Sequence, residues 1–323
     1  MHQSLHDPRN KKAAFRRPRK LEREKRFEPS TLSLATRCST TELLPQEFVE
    51  YCLFPVRLSR GPLRRHNVAV RDLGQLRQEL ETIAFQAGRI AQETRRELRR
   101  ELKADGSIVT EADRRVESFV RTELERLAPG TQTWGEEEGF SLPGPDGLWL
   151  VDPIDGTSNF AFGSPLWGIS IGLAQGEDLT TGVVFLPDFN ELYSAHLGGG
   201  ATLNRIALPP VPPGSIRPEE LVSYGDDTLE AYGHAMIPGK MRYSGAFVVE
   251  AAWVFQQRFR GMINHKANLY DAAASLCIAR ELGLDCRYVD GTEIEIAPIL
   301  AARKIEKTFY IFPAESGFRL PLR

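Results

Sequence analysis

Trp149-Leu150-Val151-Asp152-Pro153-Ile154-Asp155-Gly156-Thr157 reads as a buried strand that ends by presenting two carboxylates. Its approach is apolar and β-branched, which suits a pleated, buried surface. Asp152 and Asp155 lie three residues apart, with Pro153 between them. Two carboxylates beside a buried strand repel one another unless a cation or a proton joins them. Gly156, Thr157 and Ser158 follow, with backbone N–H groups and hydroxyls that suit a phosphate. The stretch therefore places ligands for a hard cation next to a cradle for an anion.

Upstream, Leu73, Leu76, Leu80, Ile83, Ala84, Ala87, Ile90 and Ala91 recur at three- and four-residue steps and predict one apolar helix face. The charged run from Glu93 to Glu101 is expected to continue this helix as a solvated end. Asp105-Gly106-Ser107 marks a turn, and Ile108-Val109-Thr110 is a short β-prone piece. A second helix carrying Val116, Phe119, Val120 and Leu124 should stop near Pro129-Gly130, before a strand at Thr131–Trp134. Downstream, Trp167–Ala174 and Gly182–Leu186 read as paired strands joined by a Gly-Glu-Asp turn, and Leu192–Ala195 continues their sheet. Beyond a boundary near residue 200, strand-like and helical pieces alternate: 221–224, 247–255, 261–263 and 270–282. That alternation favours an α/β (α+β) arrangement.

With 323 residues, the chain is long enough for a large core and two subdomains. The expected organisation is a subdomain over 66–200 that holds the metal site and a second over 201–323 that completes it. Residues 1–65 differ. Between Arg9 and Arg26 there are ten Lys or Arg against two Glu, with no apolar period. This segment is expected to be a disordered basic extension: a solvated tail, an upstream extension, or an arm for nucleic acid, membrane or a partner. The net charge of −2 argues against the whole chain being a nucleic-acid binder. No apolar run is long enough to span a bilayer, and no h-region follows the basic N-terminus. Cys38, Cys52, Cys277 and Cys286 have no metal-type spacing, which suits a reduced, cytoplasmic setting.

Five acids stand out where strands or turns are expected to end: Asp113, Glu136, Asp152, Asp155 and Asp271. Singly, each has an ordinary reading as a cap, a turn former or a solvated loop residue. Converging, they would form an all-oxygen site for Mg²⁺, which prefers carboxylates, carbonyls and water. His66, His196, His234 and His265 are isolated in sequence and offer no zinc alternative.

Trp-Gly-Glu-Glu (134–137), Asp-Pro-Ile-Asp-Gly-Thr-Ser-Asn-Phe (152–160) and Tyr-Asp-Ala-Ala-Ala-Ser (270–275) resemble the three signature motifs of the inositol monophosphatase family. Asp105 to Asp113 matches the segment that the family places before the first motif. The resemblance runs from about residue 70 to the C-terminus, about four fifths of the chain. It implies a layered αβαβα sandwich, shared with fructose-1,6-bisphosphatases, and a homodimer. It also implies a Mg²⁺-dependent, lithium-sensitive phosphomonoesterase using two or three ions. By the same resemblance, Glu136, Asp152 and the carbonyl of Ile154 bind one ion. Asp152, Asp155 and Asp271 bind a second, and Glu136 helps hold a third. Asp113 and Thr157 form a pair that orients and deprotonates the attacking water, and Gly156 with Thr157 meets the phosphate. In-line attack by water needs no Ser, Cys or His nucleophile.

Departures from the family pattern fall mostly on the substrate side. Tyr270 stands where the family has Trp, and Ser275 where it has Gly. Asn264 occupies the position of a Glu that contacts sugar hydroxyls in inositol-selective relatives. Gly245-Ala246-Phe247 replaces a Gly-Thr/Ser-Ala stretch that lines the inositol. A site built to bond hydroxyls discriminates through those partners. The substrate is therefore expected to be a small phosphomonoester, with inositol monophosphate the family default and histidinol phosphate its rival. Phe247, Tyr270 or Glu138 would wall an amine. Other sugar or nucleotide phosphates, and a non-catalytic binding protein, are the remaining alternatives.

Overall fold

The computed structural model describes residues 72–97, 100–102, 108–140, 142–233 and 237–319. The expectations for residues 1–65, and for the turn at Asp105–Ser107, lie outside the described residues. Two large sheets, separated and flanked by helices, make up most of the described residues, beside a small two-stranded sheet.

The larger sheet has seven strands in chain order: β3 (Gln132–Gly135), β4 (Leu148–Asp155), β5 (Gly168–Gln175), β6 (Asp178–Leu186), β7 (Glu191–His196), β8 (Ala201–Leu203) and β9 (Ile206–Ala207). β3 and β4 run parallel, and each later neighbour is antiparallel. Side chains alternate across a strand. Trp149, Val151, Ile169, Ile171, Val183 and Phe185 accordingly join one core cluster, while Leu148, Leu150, Val184 and Leu186 join another. Both faces are covered, which is why these strands read as unbroken apolar runs.

Helices α1 (Leu73–Thr94) and α2 (Glu111–Leu127) cover the first face. Asp72 caps α1 by accepting the Gly74 N–H at 2.8 Å. The charged run beyond α1 departs from expectation. The α-helix stops at Thr94, a 3₁₀ turn spans Arg95–Glu97, and the chain then forms β1 (Arg100–Leu102). This strand pairs antiparallel with β2 (Ile108–Thr110). At the end of the helix the Arg95 side chain meets groups far away in sequence. Its guanidinium pairs with Asp188 at 2.8 Å and lies over the rings of Phe160 and Trp167.

The smaller sheet contains β10 (Leu221–Tyr224), β11 (Lys240–Arg242), β12 (Gly261–Asn268), β13 (Leu284–Tyr288) and β14 (Lys304–Pro313), in the order β11-β10-β12-β14-β13. Helices α5 (Phe247–Phe255) and α6 (Leu269–Glu281) lie between the two sheets. Helix α7 (Ile296–Ala302) adds Ile296 and Ile299 to the same central cluster. On the outer face of the smaller sheet, α4 (Asp226–Tyr232) packs Leu229 and Tyr232 against the cluster of Val222, Ile263 and Phe312. A five-residue helix, α3 (Thr157–Ala161), follows β4. The layers run helix, sheet, helix, sheet, helix, as the resemblance implied.

The central helical layer sits close to the large sheet because small residues face one another. Gly172 and Gly182 are partners across β5 and β6, and Ala273 and Ala274 of α6 lie over them. A Cβ on Gly182 would stand 2.5 Å from the Ala274 carbonyl oxygen. Gly182→Ala should therefore push α6 outward and destabilise the fold by about 2 kcal/mol. Denaturant unfolding checks this; an unchanged midpoint would mean that the layer gives way freely.

Candidate active site

The end of β4 is irregular, and the irregularity sets the direction of both carboxylates. Asp152 opposes Ser170 of β5, but Asp155 opposes Gly168, so β4 carries one extra residue. In an unbroken strand, residues three apart point to opposite faces. The bulge at Pro153-Ile154 removes one step and returns Asp155 to the face of Asp152. Pro153 is tolerated there because a bulged residue need not donate to the ladder. Asp152 Oδ1 accepts the Ile154 N–H at 3.0 Å, and Asp155 Oδ2 accepts the Val248 N–H at 2.5 Å. Gly156 then turns with φ of +84°, and its missing Cβ leaves room for Ala246 and the Leu166 carbonyl.

Two further acids are the third residues of their helices. Asp113 forms a capping box at the start of α2, where Oδ2 accepts the Thr110 N–H at 2.8 Å and the Thr110 hydroxyl at 2.6 Å. Its other oxygen, Oδ1, is left for Thr157, whose hydroxyl stands 3.1 Å away and 3.0 Å from the Ile154 carbonyl. Asp271 repeats the arrangement at the start of α6, accepting the Asn268 N–H at 3.1 Å. Glu136 occupies the turn that follows β3. All five acids thus sit where helices start or strands end, although Asp113 and Asp271 lie inside helices rather than at strand or turn ends.

These groups feel one another. Burial, then repulsion from Glu136, Asp155 and Asp271, holds Asp152 well above the usual carboxylate range. Burial and the Asp155 and Glu136 charges do the same to Asp271. Asp155 is pushed up to about 7, chiefly by burial and against the bond from Val248. Burial also raises Asp113, against the bonds from Thr110 and Thr157. No Lys or Arg is among the groups that shift Asp152, Asp155 or Asp271 most. Among the described residues, no three Asp, Glu, His or Cys side chains are close enough together to hold an ion as they stand. Asp152, Asp155 and Asp271 each turn an oxygen to a backbone N–H, as like charges without a shared cation should. The donor set is all oxygen, which fits a hard divalent cation.

The expected substrate-side residues are placed unevenly. Gly245 has φ of +74°, and Ala246 caps α5. The Phe247 ring is only 8% exposed and packs on Phe309, so it turns into the core and leaves little of itself to wall a ligand. Asn264 is half-buried on β12, in register with Phe309. Tyr270 meets Trp134 edge-on at 5.6 Å between ring centres. Glu138 pairs with Arg121 at 3.2 Å, so the acid proposed to face an amine already has a cation.

Several residues that frame the site went unread in the sequence. Asn159 Nδ2 donates to the carbonyls of Leu166 and Ser244, both at 2.8 Å, and ties α3 to the loop before α5. Glu250, buried on α5, accepts the N–H of Ser244 at 2.7 Å and its hydroxyl at 3.0 Å. Glu117, fully buried on α2, accepts two N–H groups of the Glu136–Glu138 turn. Glu117 had a signal: it follows Asp113 by four residues and so shares its helix face.

Known proteins are similar to this chain in sequence and in fold. The family model described as the inositol monophosphatase family matches residues 72–311. An inositol-1-monophosphatase of Rhizobium meliloti is 36% identical over 194 residues, covering 56% of this chain and 72% of that protein. A histidinol-phosphatase of Mycobacterium tuberculosis is 44% identical over 105 residues, covering 32% of this chain and 40% of that protein. In fold, the chain is similar to an IMPase/NADP phosphatase solved with Mg²⁺ and phosphate, with a TM-score of 0.65 at 22% identity over 78% of this chain and 99% of that one. The chain belongs to the inositol monophosphatase family of phosphoric monoester hydrolases.

Proposed function

We propose that this chain hydrolyses a small phosphomonoester with Mg²⁺, two or three ions being held by Glu136, Asp152, the Ile154 carbonyl, Asp155 and Asp271. One observation carries the proposal: buried Asp152 and half-buried Asp155 and Asp271 have carboxyls pushed up by burial and then by neighbouring acids, and no described Lys or Arg is among the groups that shift them most. Bound Mg²⁺ would lower the pKa of water and neutralise the phosphate. The protein's own part is positioning and proton handling, which dominate phosphoryl transfer. Thr157, donating to Asp113, has a lone pair free to accept a hydrogen bond from the attacking water. The water's proton passes along that line to Asp113, whose buried carboxylate has a raised proton affinity. Gly156 and Thr157 present their backbone N–H groups to the phosphate. Water attacks in line, and no phosphoenzyme forms.

Thr157→Val removes the hydroxyl but keeps the shape. It should lower kcat about 100-fold with little change in KM or in the Mg²⁺ requirement. Steady-state kinetics at several Mg²⁺ concentrations check this; a large rise in the Mg²⁺ requirement would place Thr157 among the ligands instead.

The substrate side is proposed to accept a ligand other than inositol at least as well, because Asn264 and Ala246 lack the acid and the hydroxyl that inositol-selective relatives use. A panel of inositol 1-phosphate, histidinol phosphate, fructose 1,6-bisphosphate and adenosine 3′,5′-bisphosphate, with and without lithium, tests this. Release fastest from inositol 1-phosphate by more than about tenfold would contradict it. We place the enzyme in the cytoplasm as a homodimer. No described helix is long and apolar enough to cross a membrane, and Cys277 and Cys286 are free and buried.

A further inference from the structure

We infer that Glu117, with Arg121, is the positioning pair that holds the Glu136–Glu138 turn in its metal-binding shape. The inference rests on the reading of Glu136 as a ligand. Glu117 has no exposed surface, and an unneutralised acid there would add to a site already crowded with carboxylates. Both of its oxygens instead have hydrogen-bond donors. Oε2 accepts the Glu137 N–H at 2.7 Å, and Oε1 accepts the Glu138 N–H at 3.0 Å and Arg121 Nε at 2.9 Å.

Arg121 extends the hold to both ends of the turn. Its Nη1 donates to the Thr133 carbonyl at 3.1 Å, and its Nη2 donates to the Gly139 carbonyl at 3.4 Å. It also pairs with Glu138 at 3.2 Å. The turn is closed by the Gly135 N–H on the Gly139 carbonyl at 3.3 Å. The carboxylate fits this close because residue 135 is Gly: a Cβ there would stand 2.1 Å from Glu117 Oε1. The same helix therefore sets two parts of the site. Asp113 reaches Thr157, and one turn later Glu117 reaches the backbone on either side of Glu137. An apolar residue at 117 would take the carboxylate partner from the Glu137 and Glu138 N–H groups and leave Arg121 without its buried counter-charge. Groups outside a metal's ligand set orient the ligands in this way, and losing them weakens binding about 10- to 100-fold.

The test is a calorimetric titration of the metal-free full chain with Mg²⁺, together with kinetics of phosphate release. Glu117→Gln puts an amide N–H against a backbone N–H or Arg121. It should raise the Kd for Mg²⁺ about 10- to 100-fold. Excess Mg²⁺ should then bring its kcat back to within a few-fold of wild type. Leu124→Ala, which loosens the far end of the same helix, should leave the Kd unchanged. An unchanged Kd in Glu117→Gln, or an equal rise in Leu124→Ala, overturns the positioning role. If Glu117→Gln does not fold, Arg121→Lys keeps the charge but cannot bridge both carbonyls. It should raise the Kd several-fold, and an unchanged value overturns the inference. A wild-type chain that binds no Mg²⁺ overturns the metal reading itself. Normal wild-type binding with indifferent variants overturns only the role of Glu117 and Arg121.

Discussion

Asp155→Asn is expected to lower kcat about 10³-fold while the protein stays folded. Asp155 ends β4 just after the bulge, half-buried, with Oδ2 on the Val248 N–H. Asn can keep that bond through its own carbonyl oxygen, so α5 remains tied to the strand. What is lost is the charge. With it goes one anionic oxygen of the proposed cation site, where no described Lys or Arg is among the groups that shift Asp152, Asp155 or Asp271 most. The repulsion that Asp155 exchanges with Asp271, Glu136 and Glu250 is also relieved. The metal-free variant should therefore melt at or above the wild-type temperature. Steady-state kinetics and thermal unfolding on the same preparations check both halves. Near-normal turnover would remove Asp155 from the metal site, and a collapsed fold would make it a structural residue.

The second large effect is on stability, and its sign follows from the raised carboxylates. The Asp155 carboxyl sits at about 7 in the folded, metal-free protein against an ordinary 3.8. The folded state therefore holds a proton that the unfolded state has already released between those values. The stabilisation from that proton is complete below about pH 4 and disappears as pH rises through about 7, an effect on the order of 4 kcal/mol. Asp113, Asp152 and Asp271 shift the same way. In chelator, wild type should thus lose stability relative to Asp155→Asn as pH rises from 5 to 8. That comparison cancels titrations remote from the site, while Asp152 and Asp271, which the Asp155 charge raises, contribute to the difference in the same direction. Mg²⁺ should restore wild type at pH 8 and do little at pH 5, where protons compete for the same oxygens. Thermal unfolding at both pH values, with chelator and with Mg²⁺, reads the difference. Equal stabilisation by Mg²⁺ at pH 5 and pH 8 would show that the cation binds elsewhere.

Much of this molecule is legible in the chain because its strands and helices follow simple periods. The face of α1 is written in its three- and four-residue steps, and β4, β5 and β6 in their apolar runs. The signature motifs then pointed to the carboxylates that the fold brings together. What escaped depended on partners far away in sequence. Nothing local says that Arg95 will pair with Asp188, or that β1 will pair with β2 where the helix was expected to continue. Asp152 and Asp155 look mismatched in facing until the bulge at Pro153 is known. Phe247 reads as a wall for a ligand, but α5 turns its ring onto Phe309 of β14, a strand that the sequence reading did not anticipate. Glu138 looks like a spare acid until Arg121 is seen beside it. Glu117 was the nearest miss: its place one helical turn after Asp113 was visible, but its partners on Glu137 and Glu138 were not.

The claim that these carboxylates serve metal-assisted phosphate hydrolysis is tested most directly by phosphate release across the substrate panel, in chelator and after Mg²⁺ is added back. The expected result is no turnover in chelator and restored release from at least one substrate with Mg²⁺. Release that continues undiminished in chelator, or none from any substrate with Mg²⁺ present, would contradict it.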